Sequence, residues 1–117
     1  MAFELLIYPP DGADMDSAMR KRLKNWLDDL RAQDLLIFAG PLYPAGAANY
    51  VHRDSGSPQI EEGPVSNETH VVSGTEYVRC KTMEEALELA SRHPALELSN
   101  TRIEVREVWG LFEDDQA

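Results

Sequence analysis

Two side chains could hand protons about. Glu62 stands just before the chain-breaking step Gly63-Pro64, and His70 follows in the same connecting segment. A carboxylate at the end of a strand, where loops commonly carry site residues, can take a proton from a small substrate if partial burial makes it a better base. It can also orient an imidazole. The same residues have ordinary roles: Glu62 as a turn carboxylate accepting backbone N–H bonds, with Glu61 as its solvated neighbour, and His70 as an exposed loop histidine. Arg79 and Arg106 can hold a substrate carboxylate or phosphate through forked bonds, or pair with Glu4 and Glu104. Tyr8 and Tyr77 can line the same site by stacking or hydroxyl donation, or pack at a dimer interface. His52 reads as structural or exposed. His93 reads as a cationic ring at a helix C-terminus, where it offsets the helix dipole. Cys80 reads as an inert buried thiol.

The chain shows no Gly-rich phosphate loop, nucleotide fingerprint or G-x-S-x-G elbow, so no cofactor is expected. With one cysteine and three histidines far apart, no metal site is expected either. The formal net charge of −10 and the scattered basic residues argue against direct nucleic-acid binding and against an anionic membrane surface. A single cysteine forms no intrachain disulfide and fits a reducing, cytoplasmic setting. The N-terminus lacks a basic leader and reads as a strand. No apolar run approaches the roughly 20 residues needed to span a bilayer.

These side chains need elements to carry them. Phe3 to Tyr8 is an apolar run stopped by Pro9-Pro10-Asp11-Gly12. Asp14 or Asp16 can cap a helix bearing Met19, Leu23, Trp26, Leu27 and Leu30 at helical spacing, to about Gln33. Leu35 to Ala39 is a second strand, followed by a loop rich in Pro, Gly and Ala. Asn49 to Arg53 and Gln59 to Glu62 form a hairpin around Asp54 to Pro58. Thr75 to Lys81 is a strand, and Thr82 with Glu85 makes the S/T-x-x-E helix start. That helix ends near His93, because Pro94 disfavours helical dihedrals before it. Thr101 to Val108 is the last strand. The order is β-α-β, an inserted hairpin, then β-α-β. This predicts an α+β, ferredoxin-like antiparallel sheet with two helices on one face.

Alternation along the strands splits the sheet. Phe3, Leu5 and Ile7, with Val78, Cys80, Ile103 and Val105, form the set that meets the helices. The other face carries Glu4, Leu6, Tyr8, Tyr77, Arg79, Glu104, Arg106 and Val108. It is either a solvated surface with cross-strand ion pairs or a face that packs on a second copy around a polar cavity. Trp109 and Phe112 can cover that face or extend the last strand over their own domain.

Several pieces, in order, resemble one family. Phe3-Glu4-Leu5-Leu6-Ile7-Tyr8 resembles its opening strand, and Gly40-Pro41-Leu42-Tyr43-Pro44 its step after the second strand. Glu62-Gly63-Pro64-Val65 lies where that family carries Asp-Gly-Pro-Phe, with Glu for Asp and Val for Phe. Val71-Val72-Ser73-Gly74, Met83-Glu84-Glu85-Ala86 and Ile103-Glu104-Val105-Arg106 complete the series. The chain thus resembles the YCII-related proteins of the DGPF type, as a domain over residues 1–112 with an acidic tail at 113–117. The resemblance implies a dimeric α/β barrel, a homodimer with facing sheets. Most DGPF-type proteins lack an assigned activity, while related barrels include lyases, isomerases and cofactor-free oxygenases. The expectation is a small polar ligand bound or transformed between the sheets without an organic cofactor. The catalytic candidates are Glu62 and His70; Tyr8, Tyr77, Arg79 and Arg106 are the binding candidates. The alternative is a non-catalytic interaction or regulatory module, since some relatives accompany sigma factors.

Overall fold

Strict alternation of apolar side chains in the first strand decides where the sheet turns its core. Phe3, Leu5 and Ile7 are buried, while Glu4, Leu6 and Tyr8 between them are half-exposed. The computed structural model describes residues 1–10, 15–65 and 71–110. Its elements are β1 (Ala2–Tyr8), α1 (Ser17–Ala32), β2 (Leu36–Pro41), β3 (Asn49–His52), β4 (Gln59–Glu62), β5 (Gly74–Arg79), α2 (Met83–Ser91) and β6 (Arg102–Glu107). Four strands form one sheet in the order β2-β5-β1-β6, every neighbouring pair antiparallel, while β3 and β4 pair only with each other. With the hairpin set aside, this is the ferredoxin-like order that the sequence predicts.

Both helices cover one face. Leu30 of α1 and Ala86, Leu89 and Ala90 of α2 join Phe3, Leu5, Ile7, Val78 and Cys80 in a single core, flanked by Trp26, Leu27, Ile103 and Val105. Burying each large apolar side chain contributes about 1.5–3 kcal/mol. α1 begins where the Asp16 carboxylate accepts the Met19 N–H at 2.8 Å. It ends in a Schellman turn: Asp34 takes a left-handed φ of 59°, and Leu35 N–H reaches back to Leu30 O at 2.9 Å. α2 starts at Thr82, whose hydroxyl accepts the Glu85 N–H at 3.1 Å. The Glu85 carboxylate accepts the Lys81 N–H at 3.0 Å, one residue outside the reciprocal bond of a capping box.

A register shift between Leu36 and Phe38 breaks the parity of β2. Leu36 faces the core opposite Val78, yet Phe38 lies opposite Tyr77 on the open face. The extra residue, Ile37, turns the following side chains over. Phe38 then packs edge-on to Tyr77, with ring centroids 6.2 Å apart. A Cβ on Gly40 would meet the Phe38 ring at 3.0 Å, so glycine makes room for it.

One polar pair lies inside the core. Glu76 follows the parity of Val78 and points among the apolar side chains, opposite Leu5 and Ala39. His93 Nε2 lies 2.9 and 3.1 Å from its two carboxylate oxygens. The side chains of His93 and Glu76 are 1% and 6% exposed. His93 Nδ1 accepts the Ala95 N–H at 3.0 Å. A backbone N–H can only donate, so Nδ1 carries no hydrogen and Nε2 holds the one that reaches Glu76. Trp26 of α1 tilts against the ring at 4.5 Å. This corrects the reading of His93 as a cation at the end of α2. The helix stops at Ser91, Pro94 holds His93 extended, and the ring caps the short 3-10 turn Pro94–Glu97 instead.

The chain is broad and flat, 46 × 42 × 20 Å, with a Cα radius of gyration of 16.1 Å, against about 13 Å for a compact domain of this length. The hairpin is an arm standing off the sheet.

Replacing His93 by Leu strands a buried carboxylate and is expected to destabilise the fold by about 3 kcal/mol or more. Replacing Glu76 by Leu strands one ring N–H, at about 1–3 kcal/mol. The double variant should be less destabilised than the sum, as chemical denaturation of all four proteins would show.

Candidate functional site

The stretch after β2 is built from small and apolar residues: Leu42, Tyr43, Pro44, then a 3-10 turn over Ala45–Ala47. Bonds beyond the strand ends fix its course. Leu42 N–H donates to Ser73 O at 2.9 Å, and Ser73 N–H donates to Ile7 O at 2.8 Å. At the root of the arm, Gly63 N–H donates to Ala48 O at 2.7 Å, with Gly63 at φ +100°, a conformation that favours glycine. The stretch, the arm root and the end of β1 border an open cavity of about 570 Å³, at which Tyr43 and Val65 remain largely exposed. Tyr8, Leu42, Tyr43, Tyr50, Val65 and Val72 are its larger lining side chains, with Ala47 and Ala48 also in the lining. No charged side chain lines it among the described residues. Glutamates flank its lining instead: Glu61 lies opposite Tyr50 and Glu62 opposite Asn49 in the hairpin register, and Glu104 accepts the Tyr8 hydroxyl at 3.2 Å.

The residues singled out from sequence lie apart. Tyr8 lines the cavity. Glu62 closes β4, exposed, beside the lining residue Pro64. Tyr77 and Arg106 belong to one row across the open face, Phe38-Tyr77-Glu4-Arg106. Arg79 sits opposite Ala2, and Ala2 is about 20 Å from Tyr8 at roughly 3.3 Å per residue of strand. Its guanidinium is engaged with the Asp34 carboxylate at 3.2 Å and the Asp34 carbonyl at 3.3 Å, clamping the turn that ends α1. His70 lies outside the described residues, as do Asp14, Phe112 and the acidic tail.

Other reactive groups are engaged elsewhere. His52 bridges Asp54 through Nδ1 at 3.2 Å and Glu61 through Nε2 at 2.9 Å, bracing the arm. Burial, then the nearby Glu85 charge, pushes the Cys80 thiol above its ordinary value, away from nucleophilic thiolate. Among the described residues no cluster of His, Cys, Asp or Glu is arranged to hold a metal ion, and no helix is long and apolar enough to cross a membrane. Sequence reasoning missed Glu76, which alternation from Val78 would have found, and it missed the cavity walls. The Pro-Gly-Ala loop carried no sign that it would fold back over Tyr8.

The Tyr8 phenol ionises above its usual value, first because it is desolvated, then through the hydrogen bond and charge of Glu104; Arg106 pulls the other way and Glu4 adds to the rise. The neutral phenol is therefore the form that the fold prefers. Its contribution to stability is complete below the unfolded value and is lost as pH rises through the folded one. Glu104→Gln removes the carboxylate charge, and should lower the Tyr8 value toward that of a free tyrosine, read by NMR titration of ring-labelled protein.

No curated protein sequence gives a significant match. Among solved structures, 5-chloro-2-hydroxyhydroquinone dehydrochlorinase (TftG) from Burkholderia phenoliruptrix AC1100, in complex with 2,5-dihydroxybenzoquinone, aligns over 93% of this chain and 93% of its own, at 16% identity and a TM-score of 0.43. The sequence itself fits the model of the YCII-related domain over residues 1–111. With almost the whole sequence matched, this chain belongs to the YCII-related family.

Proposed function

We propose that the chain works as a homodimer that holds a small molecule in the cavity at the Tyr8 end of its open sheet face. The cavity itself carries this reading. Its volume of about 570 Å³ falls within the roughly 300–1,000 Å³ usual for small-molecule sites, and an apolar lining with a few placed hydroxyls is their usual composition. A second copy is supported by the shape. The flat chain leaves Phe38 57% exposed on the same face as Leu6, Tyr8 and Tyr77. In a facing pair of sheets, the row of Tyr77, Glu4 and Arg106 becomes the inner wall of a barrel. Glu62, in register with the lining residue Asn49, is the acid/base candidate among the described residues.

One observation favours a protein-contact role for the arm. Val51 and Ile60 are directly opposed across its strands, and are 66% and 75% exposed. That role concerns a different surface and is compatible with a ligand in the cavity.

Sedimentation velocity at micromolar concentration should show a dimer, dispersed by Phe38→Asp. Native mass spectrometry of the gently purified protein should show an adduct that Ala47→Trp, which adds bulk at a lining position, removes while the dimer persists. A monomeric wild type would refute the paired sheets. An adduct indifferent to Ala47→Trp would refute the cavity as the site.

A further inference from the structure

We propose that the cavity takes a hydrophobic monocation, a molecule with an apolar body and an ammonium group, and not the anion that a pair of arginines would hold. This rests on the small-molecule reading of the same cavity and adds the charge of its ligand.

The lining supplies tyrosine rings and, among the described residues, no charged side chain; the Tyr50 ring also lies 5.8 Å from that of His52. Tyr8, Tyr43 and Tyr50 line the space, and the face of a tyrosine ring carries negative potential that attracts a cation. An anion entering the same space would shed its water against apolar walls and find no guanidinium or ammonium group among the lining residues. Carboxylates flank the described lining, although Glu61 is itself bridged by His52. Glu104 holds the Tyr8 hydroxyl, Glu61 faces Tyr50 and Glu62 faces Asn49.

The arginines of the open face are placed less well. Arg79 is at the far end of the sheet and tied to Asp34. Arg106 is opposite Glu4, two rows from Tyr8. Arg102 is opposite Tyr8, but it is exposed and not part of the lining. The Tyr8 hydroxyl sits on the Glu104 carboxylate at 3.2 Å, and after desolvation that neighbour raises its pKa more than Arg106 lowers it, with Glu4 adding less than Arg106 takes away. The chain as a whole carries a formal −10, which enriches cations near its surface and repels anions.

Three probes of matched size separate charge from shape: phenylpropylammonium, phenylpropanol and phenylpropanoate. Each is titrated into the full chain while the backbone NMR signals of Ala47, Ala48 and Val72 are followed. The cation is expected to bind about tenfold tighter than the alcohol and to weaken when salt is raised to about 0.5 M, where the Debye length is only a few Å. The alcohol should be nearly indifferent to salt. Tyr50→Leu keeps an apolar wall and removes a ring face, so it should narrow the gap between cation and alcohol; circular dichroism verifies its fold. Equal affinities for cation and alcohol, or tightest binding of phenylpropanoate, would overturn the cation while leaving the cavity a ligand site. Silence of the lining signals to all three probes would overturn the small-molecule reading, and this inference with it.

Discussion

A carboxylate buried under two helices sets the terms for the rest of the fold. Glu76 lies mid-sheet, and in an apolar core its charge would be very unfavourable without partners. His93 supplies one N–H to both oxygens, and the Ala95 N–H fixes which ring nitrogen carries it. The geometry works only if α2 stops where it does, if Pro94 turns the chain, and if Trp26 brings α1 against the ring. This polar contact therefore adds a directional tie between the sheet and both helices to the apolar packing of the core. An apolar residue in place of Glu76 would bury as well, but would accept many helix placements. Buried polar groups of this kind can trade stability for a unique arrangement.

Helix placement in turn fixes the strand ends. Leu35 to Pro41 leaves α1 through the Asp34 turn, and Arg79 of the central strand β5 grips that turn from the open face. The bulge after Leu36 then sends Phe38 to the open face and leaves Ala39 against Glu76. At the other end of the same strands, Leu42, Ser73 and Ile7 continue the hydrogen-bond ladder past the formal strand limits. The lining residues Leu42 and Val72 thus lie at, or next to, that extended ladder.

Much of this was legible in the chain, because local rules and tertiary packing agree there. Asp16, Thr82 and Pro94 each mark a helix limit for a reason confined to a few neighbouring atoms. The alternation of Phe3, Leu5 and Ile7 gave the core face, and the order of elements gave the strand order. What escaped depends on distance in space. Nothing near Ile37 announces a bulge, which follows from matching β2 to β5 and not from propensity. His93 next to a helix end looked like a dipole partner, because its true partner lies across the core on β5. Leu42 to Tyr50 read as a loop of small residues, since no local signal tells a loop that wanders from one that folds back over Tyr8.

Charge shows the same limit in another form. A list of arginines and tyrosines on alternate positions suggests an anion site, because alternation gives the face and says nothing of position along it. The strand register supplies that missing coordinate. It puts Arg79 beside the end of α1, where a left-handed Asp34 presents both a carbonyl and a carboxylate, and it puts Tyr8 at the other end, opposite Arg102, with its hydroxyl on Glu104. A basic residue already satisfied by a structural turn is a poor candidate for holding a substrate, since it would have to give up one set of bonds to make another. The face of the sheet thus differs along its length: at one end Arg79 clamps the turn after α1, and at the other Tyr8 lines the cavity.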